Sequence, residues 1–375
     1  MKYNTIAISM TQSHLLNTGL GEFENSIAIR MAKRAPQLLE QYGIKIVYIV
    51  EPQQVGAYGS NVGYYVISRR KRDLLKQHVF TPIRRWLLPH WDLLHWTNQF
   101  FKFGVRLSPI QLVTVHDINY IHNDITKWHK LKKDFVTSRR LKHATHLSFI
   151  SQFTDRDVRQ HFNINKPTRV IYNGVTNLNT HTQQEYDDAL KDMNLPKSFL
   201  FHISRWSKKK NVILTLQMMK HLPEEHLVLA GTCSRKFEKL VNDTIQKLQL
   251  NNVTIVGHVS TEQKAALLSR CKALVFASLS EGFGLPVVEA MCFGKPSFIT
   301  RLTSLPEIGG DISYYFTSLE PQQMAETVRH GLADFAANPK AKAQALKDRA
   351  AQFNWDKAVD EYVDYYLDIL NIKHK

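Results

Sequence analysis

Ser280-Glu281-Gly282-Phe283-Gly284-Leu285-Pro286-Val287-Val288-Glu289-Ala290-Met291 sets two carboxylates eight positions apart around a glycine-rich turn. The residues just before it, Ala273-Leu274-Val275-Phe276-Ala277-Ser278, read as a short buried strand. Just after it, Pro286 suits a first helical position and Gly294 can end the helix. The pattern is strand, glycine loop, helix. It predicts Glu281 on the loop and Glu289 in the opening turns of the helix, both at the carboxyl end of a strand. In open α/β sheets that edge is where ligands bind. Gly282 and Gly284 lack a Cβ, so backbone N–H groups there can approach a ligand closely, and the helix N-terminus favours an anion.

The same alternation extends in both directions. Downstream of residue 178, Phe199–Ile203, Leu227–Ala230, Val253–Val256 and Ala273–Ala277 read as strands with helices between them. Upstream, strands are expected at Thr5–Ser9, Lys45–Val50, Leu93–Trp96, Gln111–Val115, His146–Ile150 and Arg169–Tyr172. Gly19-Leu20-Gly21 is expected in the first loop, with a helix from about Glu24 to Tyr42. Asn173-Gly174 is a turn signal, and the Thr/Asn/Gln-rich stretch Thr176–Gln184 is the best linker. The expected fold is α/β, two Rossmann-like domains at 1–177 and 178–354. Residues 355–375 form a terminal helix, with Ala358, Val359, Tyr362, Tyr365, Tyr366 and Ile369 on one face.

Composition narrows the class. A chain of 375 residues, 43% hydrophobic and 22% charged, fits two soluble-type globular domains. No apolar run is long enough to span a membrane. The N-terminus reads as a strand rather than a signal peptide. Cys233, Cys271 and Cys292 have neither metal-ligand spacing nor a disulfide pattern, which fits a reducing cytoplasm. The charge is uneven: residues 1–177 hold 25 Lys and Arg against 11 Asp and Glu, whereas residues 178–375 hold 24 against 22. Basic clusters occur at Arg69–Arg72, at Arg84-Arg85, at Lys130 with Lys132-Lys133, and at Arg139-Arg140 with Lys142. Such a half calls for an anionic partner: lipid headgroups, a phosphorylated acceptor or nucleic acid. Phe80–Leu94 interleaves arginines with Trp86, Leu87, Leu88 and Trp91, as either a peripheral membrane contact or a core-packed connection would.

The chain resembles the retaining nucleotide-sugar glycosyltransferases of family 4 (glycosyl transferases group 1), of the bacterial surface-polysaccharide type. The residues that carry the resemblance are the two spaced glutamates, the Gly-Phe-Gly-Leu-Pro between them, and Ala290-Met291 with Gly294-Lys295-Pro296 after them. Val170–Val175, Gly257-His258-Val259 and Thr303–Asp311 are similar to further family segments, so the match is strong over 199–311 and weaker before residue 110. The resemblance implies the GT-B architecture, two Rossmann-like domains facing across a cleft, with the terminal helix crossing back to the first. It also implies a metal-independent hexosyltransferase with no cofactor beyond its nucleotide-sugar donor.

Roles follow from that resemblance, each with a physical reason. Glu289 can accept both ribose hydroxyls, and Glu281 lies near the hydroxyls of the transferred sugar. Phe283, Gly284 and Leu285 offer backbone amides to sugar and phosphates. Arg205 and Lys210, in His202-Ile203-Ser204-Arg205-Trp206-Ser207-Lys208-Lys209-Lys210-Asn211, suit the diphosphate, whose negative charge grows as the glycosidic bond breaks. Gly19 and Gly21 are similar to the family's first-domain glycine loop facing the donor phosphates. His116, after the strand Gln111–Val115, is similar to the histidine beside the reacting sugar and is expected to project from the sheet edge. The implied reaction carries a hexose, mannose from GDP-mannose by preference, to a glycan or glycolipid of lipopolysaccharide or capsule. It would run in the cytoplasm, with possible peripheral contact to anionic inner-membrane lipids. The base, sugar, acceptor and linkage stay open. Two other classes compete. A nucleotide-sugar 2-epimerase would need an acid/base set that the sequence does not display. A basic nucleic-acid-binding protein would need a helix-turn-helix, zinc or RNA-binding signature, and none is present.

Overall fold

The computed structural model describes residues 3–15, 18–68, 89–100, 108–122 and 126–373. The chain forms two compact units, Met1–Gly174 with Trp355–Lys375, and Val175–Asn354. The clusters Arg69–Arg72 and Arg84-Arg85, and the stretch from Phe80 to Leu88, lie outside the described residues. The end of that stretch is core, since Trp91, Leu93 and Leu94 are buried.

Unit 1 is built on β1 (Asn4–Ser9), β2 (Ile44–Val50), β3 (Gly63–Val66), β4 (Leu93–Trp96), β5 (Ile110–Val115), β6 (His146–Phe149) and β7 (Thr168–Val170). All pair in parallel in the order β3-β2-β1-β4-β5-β6-β7. Its helices include α1 (Gly19–Tyr42), α2 (Lys127–His143) and α3 (Gln152–His161). Gly19-Leu20-Gly21 is the opening turn of α1, not a loop. The Thr18 hydroxyl caps it by accepting the Gly21 N–H at 3.0 Å, and Glu22 in the first turn complements the helix dipole. Only glycine fits at 21, because a Cβ there would run into the Leu15 carbonyl.

The C-terminal helix Trp355–Ile369 belongs to unit 1 and buries Trp355, Val359, Tyr362, Tyr365, Tyr366 and Leu367 in its core. Arg30 and Arg34 of α1 pair with Asp356 and Asp360 on its rim. A line of polar groups ties it to three strands. The Tyr366 hydroxyl meets His95 Nδ1 at 2.6 Å, His95 Nε2 meets the Thr114 hydroxyl at 2.8 Å, and Thr114 meets Tyr362 at 3.0 Å and Ser148 at 2.7 Å. Burial lowers the His95 pKa to about 3, so the ring is neutral and can both donate and accept.

Unit 2 repeats the plan with β8 (Leu200–Arg205), β9 (Leu227–Thr232), β10 (Val253–Gly257), β11 (Ala273–Phe276), β12 (Ser297–Thr300) and β13 (Tyr314–Phe316). The order is β10-β9-β8-β11-β12-β13, again all parallel. The helices are α4 (Gln183–Leu190), α5 (Val212–Met219), α6 (Arg235–Leu248), α7 (Thr261–Arg270), α8 (Leu285–Cys292), α9 (Leu305–Gly309), α10 (Pro321–Ala337) and α11 (Pro339–Ala351). Strands β3, β12 and β13 were not anticipated from the sequence. They have three or four residues each, too few to show a period, and neighbouring strands define them. In both sheets the order reverses beside the first strand, between β1 and β4 and between β8 and β11, and loops on either side of a reversal diverge to leave a crevice.

Tyr366→Phe removes one partner from a fully buried histidine. It should destabilise unit 1 by about 1–3 kcal/mol without altering the secondary structure, as checked by thermal melts with circular dichroism.

Candidate functional site

The reversal in unit 2 carries the two carboxylates of the opening motif. From the β8 side come Arg205, exposed at the strand end, and a 3₁₀ turn at Lys208–Lys210. From the β11 side comes the loop 277–284. The two loops are bonded together: the Lys209 carbonyl accepts the Leu279 N–H at 2.8 Å and the Ser278 hydroxyl at 3.2 Å. That places the Lys210 ammonium against the Glu281 carboxylate in a largely buried ion pair. Lys210 also stands 5.2 Å from the centre of the Phe276 ring. Beneath the pair His202 is held between the Val275 carbonyl and the Ser204 hydroxyl, and burial lowers its pKa to about 4, so it adds no charge.

The 281–284 loop is clamped from the β12 side. The Thr303 hydroxyl accepts the Glu281 N–H at 3.0 Å, the Ser304 hydroxyl donates to the carbonyls of Glu281 and Phe283, and Thr300 donates to Ser278. Phe283 is buried edge-on against Phe353. Gly284 sits at φ 107°, where a Cβ would press on Leu305, and it is the residue before α8. Leu285 and Pro286 open that helix, so the loop amides face a helix N-terminus.

Glu289 lies in α8, buried, and its carboxylate receives the Lys264 ammonium of α7 at 2.5 Å. Lys264 was not singled out from the sequence. It sits 25 positions from Glu289 on a different helix, so no local spacing signals the pair. Ser207 Oγ and Asn211 Nδ2, flanking the lysine turn, are buried and have no hydrogen-bond partner. Such atoms are rare in folded proteins, and a ligand oxygen would satisfy them. Unit 2 therefore gathers Lys210 with Glu281, and Lys264 with Glu289, at one sheet edge. Among the described residues no group of three or more His, Cys, Asp or Glu could hold a metal ion.

The reversal in unit 1 has a different chemistry. Glu24, on the second turn of α1, is fully buried. It accepts the Gln12 N–H at 2.5 Å from the loop after β1, and the Thr97 hydroxyl at 2.7 Å and Asn98 amide at 3.2 Å from the loop after β4. Burial pushes its carboxyl up to about 7 against the pull of those bonds. His116 does not project freely from the sheet edge as expected. It is buried, its Nε2 lies 2.8 Å from the Thr97 carbonyl, its N–H donates to Gln99, and its ring stands edge-on to Phe23 at 4.7 Å. Burial lowers its pKa, so the imidazole is neutral and its Nε2 carries the proton given to Thr97. Gly19 and Gly21 contribute the α1 terminus beside this layer rather than a free loop. Glu24 was missed because a glutamate in an amphipathic helix looks like an exposed one.

Residues 185–353 match the family described as glycosyl transferases group 1. Unit 2 is a glycosyl transferases group 1 domain. The chain is 28% identical over 194 residues to the serotype-specific mannosyltransferase WbdA of Escherichia coli, covering 50% of this chain and 24% of that protein. It is 28% identical over 216 residues to the GDP-mannose:cellobiosyl-diphosphopolyprenol alpha-mannosyltransferase of Xanthomonas oryzae pv. oryzae, covering 54% and 53%. The chain thus spans about half or less of the length of these relatives. Its fold is also that of a sucrose-phosphate synthase from Thermosynechococcus elongatus, at a TM-score of 0.72 and 17% identity over 99% of this chain and 100% of that one. Both units are the Rossmann-like halves of the GT-B fold.

Two outcomes are expected. Lys264→Met strands the Glu289 carboxylate and should cost about 1–3 kcal/mol, most of it recovered when Glu289→Leu is added, as read from melting temperatures of the two single variants and the double. Glu24→Gln tests the unit 1 layer. Folded Glu24 keeps its proton to about pH 7, whereas the unfolded chain releases it near 4.5. The wild type therefore loses stability as pH rises through that window. The glutamine variant lacks this loss and should gain on the wild type by about 3 kcal/mol across it. Denaturation at several pH values on both proteins checks this; a constant difference would contradict it.

Proposed function

We propose that the protein is a retaining glycosyltransferase that moves a hexose, mannose from GDP-mannose, onto a glycan or glycolipid acceptor of a bacterial surface polysaccharide. The observation that carries this reading is the paired arrangement at the β8/β11 reversal, Lys210 against Glu281 and Lys264 against Glu289. It offers a cation for a diphosphate and a carboxylate for vicinal hydroxyls on one sheet edge. The relatives support the sugar, since those reported above are mannosyltransferases by name.

In this reading Glu289 accepts the ribose hydroxyls. Arg205 and Lys210 bind the diphosphate and offset the charge it gains as the C1–O bond breaks, without a metal ion. Glu281 orients the transferred sugar, helped by the amides of Phe283, Gly284 and Leu285. Unit 1, with Gly19, Gly21 and the neutral His116 at its own strand reversal, takes the acceptor. The acceptor oxygen bonds to C1 on the face the phosphate leaves, and its proton passes to the departing phosphate oxygen. The products are a glycoside of unchanged anomeric configuration and a nucleoside diphosphate. The work is assigned to the cytoplasm, peripheral to the inner membrane; no described helix is long and apolar enough to cross a membrane.

Calorimetry with GDP, UDP, ADP and CMP, beside Glu289→Ala, tests the core of the reading. Selective GDP binding, weakened at least about 10-fold in the variant, is expected. UDP selectivity would overturn the donor, and no nucleotide binding by folded protein would overturn the transferase. An inverted product anomer by NMR would overturn the mechanism.

A further inference from the structure

Helix α2 turns an apolar stripe away from the fold. Trp128, Leu131 and Phe135 are 75%, 62% and 67% exposed, the three most exposed large apolar side chains among the described residues. Their spacing of three and four puts them on one helix face. The opposite face buries Thr137 and Leu141. The helix is fastened from that inner side: Lys133 stands over the Tyr120 ring, the Tyr120 hydroxyl donates to Asp134 at 2.9 Å, and Arg140 donates to the Gln99 carbonyl at 2.8 Å. Thr126 caps its start. Among the described residues, the contacts that fix the helix lie on its inner face.

The charge on α2 is almost all of one sign. Its sequence, Lys-Trp-His-Lys-Leu-Lys-Lys-Asp-Phe-Val-Thr-Ser-Arg-Arg-Leu-Lys-His, holds seven Lys and Arg against one Asp. Helical spacing places Lys132, Arg139 and Lys142 on the same outward face as the stripe, and all three are exposed.

We propose that this face of α2 seats the protein on an anionic phospholipid surface. Trp128, Leu131 and Phe135 enter the boundary between headgroups and acyl chains, while Lys132, Arg139 and Lys142 meet lipid phosphates. A nucleic acid would answer the cations but leave Leu131 in water. A second copy of this chain would bring the same cations against one another. A negatively charged bilayer answers both features, because its apolar layer lies just beneath its charged one. The surface narrows the proposed peripheral location to one helix, and it does not depend on the donor assignment.

The test is co-sedimentation of the full chain with vesicles of phosphatidylcholine alone and with about one-third phosphatidylglycerol. Two variants accompany it, Trp128→Ser/Leu131→Ser/Phe135→Ser and Lys132→Glu/Arg139→Glu/Lys142→Glu. All six side chains are exposed, and melting temperature with nucleoside diphosphate binding monitors folding and the second unit separately. Expected is binding to the anionic vesicles only, at least about 10-fold weaker for the serine variant and about 100-fold weaker for the charge variant, with nucleotide binding unchanged. Equal binding to both vesicle types, or undiminished binding by either variant, would overturn the proposal. So would a dimer seen by light scattering, or an RNA gel shift, that the serine variant loses while vesicle binding persists.

Discussion

The reversal of strand order between β8 and β11 is the constraint on which the candidate site depends. Parallel strands joined by crossovers send their following loops to the same sheet edge, and at a reversal those loops come from opposite winding directions. There β8 and β11 are neighbours, so the loops that follow them start side by side, and Lys210 closes on Glu281. The backbone bonds from Leu279 and Ser278 to Lys209 fix the approach, and Thr303 and Ser304 hold the carboxylate's loop from the other side. The charged groups are therefore set in place by neutral ones, which is the arrangement that keeps an electrostatic site ordered before a ligand arrives.

Unit 1 has the same topology and fills its reversal differently. Where unit 2 places lysine–glutamate ion pairs, unit 1 buries Glu24 among Gln12, Thr97 and Asn98, and buries His116 against the Thr97 carbonyl. Desolvation drives both toward their neutral forms. One edge of the chain's chemistry is thus built for charge and the other for neutral hydrogen bonding. In the proposed reading a diphosphate meets the first and a hydroxyl-rich acceptor the second. The positive charge of the first half is carried elsewhere, in part on the outer face of α2.

The C-terminal helix shows a third use of polar groups. Its three tyrosines reach into unit 1, two onto the hydroxyl and imidazole groups of β4, β5 and β6 and one onto the backbone carbonyl of Leu147. A hydrophobic helix face alone would hold many registers; a line of matched donors and acceptors holds one. Arg30 and Arg34 repeat the registration on the rim.

Local sequence determined the elements that announce themselves by period or by backbone chemistry. Ala273–Phe276, the glycine turn and α8 could be read directly, and so could the tyrosine face of the C-terminal helix, because apolar repeats and glycine or proline constraints act over a few residues. The places of Glu281 on the loop, Glu289 in the helix, and Arg205 and Lys210 after a strand were legible beside those elements. What needed the tertiary structure was set by partners distant in sequence. The strand β12 exists because β11 templates it, and β13 because β12 does. Gly19 and Gly21 join a helix because Thr18 caps it and Leu15 crowds it. His116 turns inward because the Thr97 carbonyl awaits it. Lys264 and Glu24 look like ordinary surface residues until the strand order brings α7 beside α8 and folds two loops over α1. A short-range pattern can fix where a strand or helix forms, but the burial and pairing of a charge depend on the whole sheet closing around it.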